Sequence, residues 1–142
     1  MRALLLLITL AALTSASAKT PPLAVWSGAL DVEACGGNSV EITALGDEIA
    51  GADYFVEGSA SAVRHLYYFQ NGKPVFFLEA KYSITPVATK DPNDPDNRKT
   101  TLVQYTPSAF DSLPAEKQKE LLTEIALIRK SFQDRKNWTR LE

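Results

Sequence analysis

One cysteine and one histidine stand among the 142 residues, and their scarcity closes several chemistries at once. A lone cysteine cannot form an internal disulfide, so the fold must rest on a hydrophobic core. One of each residue cannot assemble a zinc site of the usual nitrogen and sulfur kinds within one chain. No phosphate-cradling glycine pattern and no nucleophile elbow occurs either. An excess of positive charge is also missing: 15 basic residues face 17 acidic ones, for a formal net charge of −2. That balance argues against a nucleic-acid or anionic-membrane partner. The longest apolar run, Ala3 to Leu13, holds 11 residues, well short of the roughly 20 needed for a bilayer-spanning helix.

That run follows Met1-Arg2 and leads into TSASA, where Ala16 and Ala18 form the small-x-small pattern read by signal peptidase. Residues 1–18 are therefore expected to be a signal peptide, with Lys19 as the first residue of an exported chain and no transmembrane anchor after cleavage. The remaining 124 residues, 14 of them basic and 17 acidic, suit one small globular domain over 19–142. Cys35 lies too far past the cleavage site to be a lipoprotein cysteine. It is expected as a small buried hydrophobe, with an intermolecular link or a reactive thiol as the alternatives.

Along the chain, LAVWSGAL (Leu23 to Leu30) suggests a short strand carrying Trp26, ended by the turn-rich ACGGN at Ala34 to Asn38. In SVEITAL, Val40, Ile42 and Ala44 alternate with Glu41 and Thr43, as in a half-buried strand. Gly46 to Asp53 has the look of a connection, and Tyr54 to Val56 of a short strand. A further strand is expected at Thr101 to Tyr105, after a polar loop from Lys90 to Thr100.

The last third changes period. Leu121, Ile125, Ile128 and Phe132 recur at spacings of four, three and four, which paints one apolar stripe on an α-helix of about Pro114 to Gln133. Ser112 is the expected N-cap, and Glu116 and Arg129 with Lys130 complement the helix dipole. A single such helix following several strands is expected to pack on a sheet rather than to self-associate. The fold class is therefore α+β: a mainly antiparallel sheet of about four to six strands with one C-terminal amphipathic helix packed on it.

Between strand and helix lies YYFQNGKPVFF, Tyr67 to Phe77. Asn-Gly between apolar runs signals a two-residue hairpin, because both residues tolerate the positive φ of a type I′ turn. With Gln70 opposite Lys73, uninterrupted pairing places Tyr68 with Val75, Tyr67 with Phe76, His65 with Leu78, and Arg64 with Glu79. Both faces are then apolar at their middle. In the Phe69–Pro74 pair proline's missing N–H points outward, so the second strand should be a sheet edge, at least near the turn. Two rows of large side chains need two covers, and Tyr67, Phe69 and Phe76 are the candidate partner-binding residues if the chain itself supplies only one.

The segment Gly58 to Pro86, GSASAVRHLYYFQNGKPVFFLEAKYSITP, resembles the core of small exported bacterial proteins of unassigned function with a YYF-x-NGK hairpin. Single MORN-type repeats show a similar Tyr-Tyr-x-x-Asn-Gly-Lys hairpin, although this chain lacks their tandem repetition. The first resemblance implies a bacterial envelope protein with an antiparallel sheet, and it transfers no catalytic residue.

The remaining chemistries find little support. The loop KDPNDPDNRK offers Asp91, Asn93, Asp94, Asp96 and Asn97, yet from Asp91 the fifth, sixth and twelfth places of an EF-hand hold Pro95, Asp96 and Leu102. Its residues are equally turn formers, and no metal or cofactor is expected. A Cys35–His65 dyad has the right atoms for nucleophilic catalysis but no supporting motif, and carboxylate pairs for acid–base work cannot be placed by sequence. The expected role is a non-enzymatic binding or accessory module, periplasmic or secreted, whose partner is another envelope or extracellular protein. A small exported hydrolase using Cys35 or a carboxylate pair, and a self-associating structural envelope protein, are the alternatives.

Overall fold

The computed structural model describes residues 21–88 and 97–141. The expected signal peptide and most of the Asp/Asn loop, Asp91 to Asp96, lie outside the described residues. Seven strands form a single antiparallel sheet: β1 (Leu23–Gly28), β2 (Asn38–Leu45), β3 (Glu48–Glu57), β4 (Ser61–Gln70), β5 (Lys73–Pro86), β6 (Arg98–Ala109) and β7 (Thr139–Leu141). The spatial order is β6-β5-β4-β3-β2-β1-β7. The first six strands thus form a meander in chain order. Helix α1 (Ala115–Gln133) then returns across one face, so that β7 can add to the free side of β1.

The α+β class holds, with more strands than expected. The apparent connection from Gly46 to Asp53 is mostly strand: only Gly46 and Asp47 make the turn, and β3 runs ten residues. Two alanines and a glycine in EIAGADYFVE hide its pattern, but Ile49, Ala52 and Tyr54 are buried on one side. Short β7 carries no sequence signal of its own; its pairing of Thr139 with Ser27 and Leu141 with Val25 supplies one.

The expected stripe on α1 is the buried one. Leu121, Ile125, Ile128 and Phe132 are all at most 2% exposed and pack on Val40, Ile42, Ala52, Tyr54, Tyr67 and Phe77 of the sheet. Ser112 does not cap the helix. It belongs to a single 3₁₀ turn (Phe110–Ser112) and donates to the Ala109 carbonyl, while Pro114 takes the cap position without a side-chain bond. At the other end, Arg135 lies 4.3 Å from the centre of the Phe132 ring and 4.9 Å from that of Trp26. It also pairs with Asp47 at 2.7 Å. Trp138 completes this clamp, packing edge-on to Phe132 and so closely over Gly28 that a Cβ there would fall within 2.3 Å of the indole.

The central hairpin turns at Asn71 and Gly72, with φ of 51° and 73°, as a type I′ turn requires. Gln70 faces Lys73 and Phe69 faces Pro74, as expected. Beyond them the register departs. Val75 is an extra residue in a β-bulge, after which Tyr68 faces Phe76, Tyr67 faces Phe77, Leu66 faces Leu78, His65 faces Glu79 and Arg64 faces Ala80. The pairs expected without the bulge, Arg64 with Glu79 and His65 with Leu78, do not form. Arg64 instead bonds Asp53 of β3 at 2.8 Å. Strand β5 lies inside the sheet, yet β6 pairs with it only from Phe76 onward. Residues 73–75 therefore keep a free edge near the turn, as the proline implies.

Candidate functional site

The bulge exchanges which residues of β5 face the helix. Since directly opposed residues share a face, His65, Tyr67 and Phe69 of β4 join Phe77 and Glu79 of β5 beneath α1. Leu66, Tyr68, Phe76 and Leu78 lie on the other face, continued on β6 by Pro107 and Tyr105. The two faces are chemically unlike, and each is a candidate.

The covered face contains the chain's only histidine in a polar cluster. On α1, Lys117 and Glu124 lie three or four residues from Leu121 and so share its inward side. The Nδ1 of His65 lies 2.7 Å from Glu124 Oε1, and its Nε2 lies 3.2 Å from Glu79 Oε2. The hydroxyl of Tyr67 donates to the same Glu124 oxygen at 2.5 Å. Lys117 reaches Glu79 Oε2 at 3.5 Å, and Lys81 reaches Oε1 at 3.4 Å. The His65 side chain is 11% exposed, between carboxylates that are 19% and 22% exposed.

The electrostatics follow from this crowding. Burial alone would raise the Glu79 carboxyl's pKa, but the His65 hydrogen bond, Lys117 and Lys81 outweigh it and hold it below its ordinary 4.5. Burial, with the Glu124 charge second, pushes the Tyr67 phenol strongly up and the Tyr54 phenol up as well. Both tyrosines are thereby kept neutral. Chemically, the cluster contains a histidine between two carboxylates, the carboxylate pair that sequence could not place. Its groups are committed to one another: both ring nitrogens, both Glu79 oxygens and Glu124 Oε1 already have partners. Such closure suits fastening the helix to the sheet more than presenting an acid or base to a substrate.

The uncovered face is held together differently. Tyr68 packs edge-on to Phe76 at 5.9 Å, and Phe55 to Tyr82 at 6.2 Å, with the Arg64 guanidinium over the Phe55 ring. Tyr68 is 57% exposed, and Leu102 and Tyr105 of β6 are also exposed. Leu78 and Ala80 on this face are buried among their neighbours, at 7% and 3% exposed, but among the described residues no helix or second sheet crosses the exposed Tyr68, Leu102 and Tyr105. Two of its charge pairs are internal, Asp53–Arg64 at 2.8 Å and Glu57–Arg98 at 3.4 Å.

The structure separates the three candidate partner-binding residues. Tyr67 is 1% exposed under α1. Phe69 is partly buried beside it, with the Arg129 guanidinium 5.2 Å from its ring centre and donating to the Gly72 carbonyl. Phe76 lies on the opposite, uncovered face. Tyr68, absent from that trio, is the most exposed aromatic of the hairpin's two strands; uninterrupted pairing had set it against Val75, and only the bulge brings it to Phe76.

Cys35 is exposed, not buried, because it sits in the surface turn that Gly37 closes by donating to the Ala34 carbonyl. With both His65 nitrogens on carboxylates, the geometry pairs the imidazole with Glu79 and Glu124 rather than with the thiol. Among the described residues no cluster of His, Cys, Asp and Glu could hold a metal ion, and no helix is long and apolar enough to cross a membrane.

Comparison of the chain with protein-family models, with curated proteins and with solved structures finds no match.

Proposed function

We propose that this chain is an exported binding or accessory protein, periplasmic or secreted and not an enzyme, that contacts another envelope or extracellular protein through its uncovered sheet face. The observation carrying this reading is the contiguous row of Leu66, Tyr68, Phe76, Pro107 and Tyr105 on a face without a covering element among the described residues. Aromatic residues in such a row are the usual anchors of protein interfaces. The ion pairs Asp53–Arg64 and Glu57–Arg98 neutralise the same face internally, which favours an apolar, weakly charged partner over an acidic or basic one. Export rests on the leader-like residues 1–18, and the resemblance to small exported bacterial proteins with a YYF-x-NGK hairpin supports it.

Docking by strand addition to the long outer edge is disfavoured. Strand β6 contains Pro107, and Val103 is an extra, bulged residue. The Ile84 amide donates toward the β4 side, to Ala60. By the alternation along β5, Leu78 turns the same way, so the nitrogen of Pro107 opposite it faces outward, where a new strand would need a donor. Bulge and proline together interrupt that row, a common protection of sheet edges. The opposite edge, β7, is only three residues long.

The test compares capture from an envelope extract by the mature protein and by the double variant Tyr68→Ser/Phe76→Ser, with sedimentation of each protein alone. A partner retained by the wild type and lost with the folded variant supports the reading. Capture unaffected by the variant sinks it, and a wild-type dimer dispersed by the same substitutions would identify a second copy as the occupant and replace this reading with self-association.

A further inference from the structure

We infer that His65 is a pH-operated fastener that holds the N-terminal half of α1 over the aromatic face of β4 and β5 when its imidazole is doubly protonated and loosens that half when it is not. The inference rests on geometry. A carboxylate oxygen faces each ring nitrogen, Glu124 from the helix at 2.7 Å and Glu79 from β5 at 3.2 Å. A neutral imidazole has one N–H to donate and one lone pair. One of the two carboxylates then meets a lone pair instead of a proton, and the bridge from strand to helix loses a charge-assisted bond.

The groups facing this imidazole come from every element around it. Tyr54 of β3 lies directly opposite His65, Tyr67 neighbours it on β4, and β5 contributes Glu79 and Lys81. The helix contributes Lys117, Glu120 and Glu124. Of these side-chain types only imidazole ordinarily changes its charge between pH 5 and 8, and His65 is the one imidazole in the cluster. The helix is also fastened unequally. Its C-terminal half rests on Ile128, Phe132 and the Arg135–Trp26–Trp138 clamp, which contains no group titrating near neutrality. Its N-terminal half rests on Leu121 and Ile125 plus the cluster. Loosening should begin at that end and expose Tyr67 and Phe77.

Because His65 is the only histidine, its imidazole nitrogen shifts can be followed without ambiguity in the full mature protein while backbone amide exchange is recorded from pH 5 to 8. Protection at residues 117–126, relative to 128–133, should fall about tenfold, the factor expected for one charge-assisted hydrogen bond. Its midpoint should coincide with the imidazole titration. His65→Gln should remove the pH dependence of that ratio. If that variant does not fold, Glu79→Gln, which keeps an acceptor but removes the charge, should shrink the change. A ratio that stays flat with pH in the wild type, or that changes away from the imidazole midpoint, overturns the inference, as does a folded His65→Gln protein with the wild-type response.

Discussion

The two faces of the β4–β5 hairpin each set a tyrosine beside a phenylalanine and do opposite things with the pair. Beneath α1, Tyr67 is buried and its hydroxyl is committed to Glu124; one position on, Tyr68 stands exposed against Phe76 with its hydroxyl unconstrained by any described partner. An aromatic residue on a strand therefore says little about burial by itself. What decides is which side the helix chooses, and that choice follows from the apolar row Val40, Ile42, Ala52, Tyr54 on β2 and β3, which admits no charged residue at its centre.

The contrast can be broken most strongly from the covered side. Phe132→Ala removes a ring packed between Trp26 and Trp138 and should cost about 3–5 kcal/mol in urea unfolding, with little change in slope. Tyr67→Phe keeps the ring and strips the donor from Glu124. It should cost about 1–2 kcal/mol in the same measurement, since the part-buried Glu124 oxygen loses one of its two partners and keeps only His65.

Solution pH sharpens the same contrast, because three of the four shifted groups, Glu79, Tyr54 and Tyr67, lie on the covered side, and the fourth, Arg64, is raised further from the working range and stays charged. With its folded pKa lowered, Glu79 contributes stability that is present above the unfolded value near 4.5 and is lost as pH falls through the folded value. The raised Tyr54 and Tyr67 contribute stability that is complete below the unfolded value of 10.0 and declines as pH rises beyond it. Urea midpoints should therefore drop on both flanks, below about pH 4.5 and above about pH 10. The smallest effect belongs to the uncovered side: Tyr68→Ser should change stability by no more than about 0.5 kcal/mol, as at an ordinary surface position.

The helix was legible in the sequence because its four buried residues sit at strict spacing and nothing competes with that period. The turn of the hairpin was legible for a similarly local reason, the positive φ that Asn71 and Gly72 accept. The faces of the hairpin were not, because a bulge has no signature in Pro74-Val75-Phe76 that a regular strand lacks, and a slip of one residue exchanges inside for outside. The His65 cluster depends on that slip and on Glu124, fifty-nine residues away. A signal for it did exist: Lys117 and Glu124 interrupt the inward side of an otherwise apolar helix stripe, and charges there call for partners. Short β7 was illegible because three residues pair only once the helix has brought the chain back to β1.

The extra residue at Val75 makes the hairpin's layout a matter of reading frame. Delete Val75, and both the residue and the bulge vanish together; Phe77 and Glu79 still meet Tyr67 and His65. Straighten the bulge while keeping Val75, and every residue from Phe76 onward changes sides, turning Leu78 toward the helix and Glu79 toward solvent. Two different outcomes are thus open at this one spot, deletion of the extra residue and closure of the bulge around it. One preserves the histidine's contacts, and the other dismantles them without substituting a single contacting residue.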